Sequence, residues 1–264
     1  MAFERDEALI LEVLDLQDRD RIVVFLSREH GKKRGVAQGA RRPHSRFAGV
    51  LQPLAKVRLD WREKEGRELV RIGGVDLLRP ASGVENDLEG LLIGSYLADH
   101  MLEFAQEDEP GDLWFRLLDS SVEALSKGVD RNLTARYFEA WVLRLSGIFP
   151  APWECPICER SLADGAVLPA GGDTLLCGPC AQEVPGHSLI ADPSVIEFLH
   201  LLAKVPLEDL AEARPPSAGT LRRVEKICAQ VRRRFLQREL RSYEVIRQTL
   251  AFRGGDDRHR SSAG

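Results

Sequence analysis

Cys155, Cys158, Cys177 and Cys180 form two C-x2-C pairs separated by 18 residues, and the chemistry this arrangement offers is metal binding. A pair on a tight turn presents two thiolates to one ion, and a second pair completes a tetrahedron at about 2.3 Å per metal–sulfur bond. Pro156 in the first pair, and Gly178 with Pro179 in the second, suit the sharp turns that such knuckles need. Four thiolates close the coordination sphere and leave no position for water, so one structural zinc ion is expected. A redox dithiol needs only one pair, together with a βαβ setting that the sequence lacks. Ala166–Leu168 and Thr174–Leu176 lie between the pairs and are expected to form a hairpin. His187 reads as a surface residue. Cys228 shares an apolar stripe with Leu221, Val224 and Val231 and reads as a small core residue.

The second group with chemical potential is basic. Arg28, Lys32, Lys33, Arg34, Arg41, Arg42 and Arg46 face a single acid, Glu29, between Ser27 and Arg46. Lys and Arg gain affinity for nucleic acid by releasing condensed counterions, a sequence-independent effect. The formal net charge of -4 does not exclude such a partner, because local patches set the field that a polyanion meets. Phe25, Phe47 and Trp61 can act as stacking platforms for unpaired bases or fill a core. A solvated hairpin face is the plainer reading of the charges. Arg222, Arg223, Arg232, Arg233 and Arg234 near the C-terminus offer either a second patch or an ordinary charged helix face.

No catalytic constellation accompanies these groups. The chain has no Gly-rich phosphate loop, H-E-x-x-H motif or nucleophile elbow, and its six histidines are scattered. A binding protein without catalytic residues is expected. The start, MAFERDEALI, is acidic and lacks a secretory pattern, and no apolar run approaches the roughly 20 residues of a membrane span. A cytoplasmic protein is expected, where five cysteines favour metal over disulfides.

The elements that must position these groups point to an α+β, multidomain chain. Residues 7 to about 78 read as five short strands: 8–14, 22–26, Val50-Leu51, 57–61 and 69–72, broken by glycines. Five strands in so short a stretch suit a small closed barrel, and the five-stranded oligonucleotide-binding (OB-type) barrel is the natural candidate. Ser82 and Glu85 read as a capping box opening a helix with apolar residues from Leu88 to Leu102. Further helices are expected from Asp112 to Lys127, Asn132 to Ser146, Asp192 to Lys204 and Thr220 onward. The domains expected are an OB-fold at 1–80, a helical bundle domain at 81–150 and 188–252, an inserted four-cysteine zinc element at 151–187 and a flexible tail at 253–264.

The stretch from Phe25 to Pro53 resembles the N-terminal signature of bacterial RecO recombination-repair proteins. In that family "T-x-x-x-G" precedes "x-G-x-R-x-x-x-S" and then "L-Q-P"; here Ser27 takes the place of the usual threonine. Arg136, Tyr137, Phe138 and Glu139, with Leu143, Leu145, Gly147 and Pro150, resemble the helix that leads into the family's cysteines. The similarity runs from about residue 7 to 250. It implies a non-enzymatic mediator of DNA repair and homologous recombination that binds single- and double-stranded DNA and anneals complementary strands. With RecR, such a protein assists RecA loading onto DNA coated by single-stranded-DNA-binding protein, which places it in the cytoplasm near the nucleoid. The family's DNA surface carries over to Lys32, Lys33, Arg34, Arg41, Arg42 and Arg46. Two rival classes are a zinc-dependent hydrolase, which would need an open metal position that four Cys ligands argue against, and a zinc-ribbon scaffold or transcription-associated protein without annealing activity.

Overall fold

The computed structural model describes residues 3–249, apart from 64, 65, 67, 83, 85, 108 and 214. Its N-terminal part is a closed five-stranded barrel of order β1-β2-β3-β5-β4. The strands are β1 (Phe3–Leu16), β2 (Asp20–Ser27), β3 (Gly31–Ala37), β4 (Lys56–Arg62) and β5 (Val70–Arg79). Closure depends on the length of β1. Its first half pairs with β4 and its second half with β2, with a bulge between Ile10 and Glu12 where the strand passes from one partner to the other. Every pairing is antiparallel except β3 with β5.

Period-2 alternation sends Ala8, Ile10, Val23, Phe25, Val57, Leu59, Trp61, Val70 and Ile72 into one core. Phe25 and Trp61 meet there at 5.4 Å between ring centroids. Truncating the fully buried Trp61 to alanine is expected to cost about 3–5 kcal/mol.

Two strand expectations are corrected. Val50 and Leu51 are not a strand; they belong to the connection between β3 and β4, which puts Phe47 and Leu51 into the barrel core. Their apolarity comes from plugging the barrel, not from pairing. The missing strand is β3, Gly-Lys-Lys-Arg-Gly-Val-Ala, whose charges conceal it. Its core-facing positions include Gly35, where an added methyl would come within 2.8 Å of Ile72 and 2.9 Å of Val70. Only glycine lets β5 approach there.

The chain forms two compact units. Among the described residues, one runs to Lys127 and takes up residues 242–249; the other is Gly128–Arg241. This division falls inside the 81–150 stretch. In the first unit, α1 (Leu88–Phe104) and α2 (Asp112–Ser126) accompany the barrel. The cap of α1 is Asp87, whose carboxylate accepts from the Gly90 amide at 2.8 Å. The helix thus begins beyond the capping box read at Ser82, and Glu85 lies outside the described residues. On α2, Asp119 receives Lys56 at 2.9 Å and Arg79, tying the helix to β4 and β5.

The second unit contains α3 (Arg131–Leu145), β6 (Ala166–Leu168), α4 (Gly178–Ala181), β7 (Leu189–Ala191), α5 (Pro193–Leu202), α6 (Leu207–Ala213) and α7 (Ala218–Leu236). Asp192 caps α5 with Pro193 in its first turn, as its sequence indicates. The short α6 and the helical residues 241–249 carry no cap signal that sequence reading caught. Cys228 is buried on α7 with Leu221, Val224 and Val231, and burial pushes its thiol pKa up. The flexible tail read at 253–264 lies outside the described residues. Among the described residues no helix is long and apolar enough to cross a membrane.

Candidate metal centre and nucleic-acid interface

The four cysteines converge. Their sulfurs all lie within 4.8 Å of one another, and Cys158 Sγ is 3.5 Å from Cys177 Sγ. A tetrahedral ion with 2.3 Å bonds to sulfur needs S···S separations of roughly 3.8 Å. The donor set therefore fits one metal ion. His187 is exposed and takes no part in the cluster.

Each knuckle is made by its local backbone. In the first, the Cys155 amide donates to Arg160 O and the Glu159 amide to Cys155 O, both at 2.8 Å. Glu159 closes this turn in the left-handed region, φ +58°. In the second, Cys177 is the N-cap of α4, and the Ala181 amide returns to Cys177 O at 3.0 Å.

A single rung, Val167 with Leu176, joins the two sides of the expected hairpin, with amide–carbonyl distances of 2.8 and 2.9 Å. The other edge of β6 takes β7, which sequence reading missed. Burial disfavours ionisation of Cys155, but hydrogen bonds from the Cys177, Ile157 and Cys158 amides outweigh it and bring that thiol down to about 6. Hydrogen bonding to Cys177 and Cys158 holds the Cys180 proton and pushes it up to about 12. A bound cation would replace that shared proton.

The seven basic residues read from the sequence separate into different environments. Arg28 pairs with Asp112 at 2.9 Å on the surface. Lys32 turns inward: its ammonium donates to Leu102 O at 2.6 Å, in the last turn of α1, where a cation suits the exposed carbonyls. Burial lowers its pKa. Lys33 is 11% exposed and pairs with Glu63 at 2.7 Å. Arg34, on the outward side of β3, is exposed.

Arg41 lies beside the β1–β2 turn, its amide on Arg19 O and its guanidinium on Gln17 O, both near 3 Å. Arg42 and Arg46 are exposed in the same loop, with Arg46 4.9 Å above the Phe47 ring. Phe25, Phe47 and Trp61 are all at most 1% exposed and fill the core.

Sequence reading missed two roles. The Ser27 hydroxyl bonds Asp6 and accepts the His30 amide, so a hydroxyl at this position holds the turn into β3. Arg136 and Glu139, noticed only as a motif, form a buried bidentate pair at 2.6 and 2.7 Å. Arg136 also reaches Glu225, and Arg232 joins the group through Glu239 at 2.6 Å and Glu139. Arg232 is thereby withdrawn from any C-terminal basic patch. Arg223 and Arg234 pair with Asp192 and Asp173, while Arg222 and Arg233 remain exposed.

Two family models match the chain: "Recombination protein O N terminal" over residues 1–81 and "Recombination protein O C terminal" over residues 85–244. A DNA repair protein RecO of Anaeromyxobacter sp. (strain K) is 32% identical over 216 residues, covering 80% of this chain and 84% of that one. The protein of the same name from Koribacter versatilis is 29% identical over 89% of this chain and 91% of its own length. That from Pelotomaculum thermopropionicum is 29% identical over 93% and 94%.

Proposed function

Because the chain belongs to the recombination protein O family, we propose that it is a mediator of DNA repair and homologous recombination, acting by binding and not by catalysis. It binds single- and double-stranded DNA in the cytoplasm, at the nucleoid, and anneals complementary strands. With RecR it assists RecA loading onto DNA coated by single-stranded-DNA-binding protein. The observation that carries this reading is the set of exposed guanidiniums, Arg34, Arg42 and Arg46, on the strand and loop of an OB-type barrel. Annealing needs no reacting group: a cationic surface screens two phosphate backbones and leaves base pairing to finish the step.

Within the basic segment, phosphate contact falls to Arg34, Arg41, Arg42 and Arg46. Arg28 joins them when DNA displaces its surface pairing with Asp112. Lys32 and Lys33 mainly hold β3 to its surroundings. The four-cysteine cluster holds one structural zinc, the ion that matches four thiolates in tetrahedral array. Zinc fixes the two knuckles against each other and does no chemistry on DNA.

The test is the annealing rate of two complementary oligonucleotides, one carrying a fluorophore and the other a quencher, without nucleotide. The wild-type chain should accelerate annealing, and Arg34→Glu/Arg42→Glu/Arg46→Glu should abolish the acceleration. A wild-type rate equal to buffer alone would favour the scaffold reading.

A further inference from the structure

The register of the barrel brings two arginines and a phenylalanine from outside the 28–46 segment into one row that runs on toward Arg34. Val70 and Ile72 lie in the core, so Arg71 between them points outward; Trp61 lies in the core, so Arg62 after it does too. On β3 the core takes Ala37, with Gly35 against Val70 and Ile72, which leaves Arg34 and Val36 outside. Arg71 stands opposite Val36 on one side and opposite Arg62 on the other, and Arg62 stands opposite Phe3 of β1. Adjacent strands are about 4.8 Å apart, so the row crosses four strands in roughly 14 Å. Arg34 lies one pleat from the Val36 position.

Two features of this row are costly to the protein alone. Like charges placed directly opposite on one sheet face destabilise the pair, yet Arg62 faces Arg71. Neither arginine, nor Arg34, forms an ion pair with a described acid; Glu63, next to Arg62, is engaged by Lys33. Phe3 is 57% exposed, with the Arg62 guanidinium 5.8 Å from its ring centroid. Cations spaced along a strand path beside an open aromatic face are what single-stranded nucleic acid requires: phosphate charge for the guanidiniums and an unstacked base for the ring.

We infer that the outer face of β3, β5, β4 and β1 carries a second contact row, Arg34–Arg71–Arg62–Phe3, that holds one single strand of DNA. This rests on the mediator reading and adds a strand path to it. The 38–55 loop holds phosphate of either DNA form, while the row discriminates for single strands, because only an unpaired base can lie on Phe3. A barrel with both surfaces can keep one strand unstacked while the loop screens the incoming complement.

The experiment is fluorescence anisotropy with a labelled oligodeoxythymidine and with a blunt duplex of equal length, each over a salt titration. Arg62→Ala/Arg71→Ala should weaken oligodeoxythymidine binding and flatten its log K against log salt slope by about 1.4, two contacts at about 0.7 each. Its melting temperature should equal or exceed that of the wild type, since the repulsion is relieved. Arg71→Lys, which keeps the charge, should leave the slope near that of the wild type.

Phe3→Ala should weaken single-strand binding roughly tenfold and leave the duplex unchanged. An unaltered slope in the double variant, or equal weakening of both probes by Phe3→Ala, overturns the row. If the row variants bind as wild type while Arg42→Glu/Arg46→Glu loses binding, the row fails and the mediator reading stands. If the wild-type chain binds neither probe, the mediator reading fails and the row with it.

Discussion

The knuckles around Cys155 and Cys177 and the strand around Arg34 each hold groups that their chemistry demands, but they hold them in opposite ways. The knuckles gather four identical donors to one point, and the backbone hydrogen bonds of Cys155 and Cys177 close the two turns that do so. The basic segment does the reverse. Of seven neighbouring cations, Lys32 and Lys33 pack against neighbouring elements, Arg28 pairs with Asp112, Arg41 binds the β1–β2 turn, and the exposed guanidiniums of Arg34, Arg42 and Arg46 face solvent. A metal site is specified by spacing along the chain, because a few residues of turn geometry determine where each sulfur goes. A polyanion surface is specified by the pleat and by what packs behind it, so the same residue type means different things two positions apart.

This contrast can be broken at its strongest point first. If the cysteines hold the proposed structural zinc, Cys177→Ser should lose it and destabilise the Gly128–Arg241 unit strongly, since zinc binding in small metal-folded domains supplies about 10–16 kcal/mol. Metal analysis by mass spectrometry and a thermal melt check it; a variant that melts as wild type and keeps a full equivalent of metal would end the knuckle account. Next comes the other convergent cluster of that unit. Glu139→Ala removes a carboxylate that is 1% exposed and shared by Arg136 and Arg232, leaving buried guanidinium charge short of an acceptor. The expected cost is about 3–5 kcal/mol in chemical denaturation. A smaller effect is expected at Asp87→Ala, which deletes the side-chain cap of α1 and should cost about 1 kcal/mol, read as a small shift in urea midpoint at unchanged slope.

How much is legible in the sequence follows the same line. The cysteine spacing alone locates the four-sulfur cluster, and the glycine-punctuated β-branched runs locate a barrel. Strand β3 is hidden because its core face is glycine and alanine while lysine and arginine dominate its composition, and ladder pairing leaves no mark on composition. Val50 and Leu51 mislead for the complementary reason: a loop that plugs a barrel must be apolar too.

Ser82 offers a cap signal, yet Asp87 is the cap, because the residue that meets the first free amides is set by where the chain enters the helix. The fate of Lys32 depends on the last turn of α1, some 70 residues away in sequence, which no local pattern encodes. Arg232 reads as part of a basic patch because its buried partner Glu139 lies on α3, far from it in sequence, while Glu239 folds back onto it from just beyond α7.

On the proposed reading, exposed guanidiniums of the barrel, and not the four-cysteine cluster, perform the work on DNA. Its most direct measurement is the strand-annealing rate of Arg34→Glu/Arg42→Glu/Arg46→Glu, made on protein whose metal content and melting temperature are determined in the same preparation. That variant should carry a full metal complement, melt as the wild type does and anneal strands no faster than buffer. Annealing at the wild-type rate in that variant would contradict it.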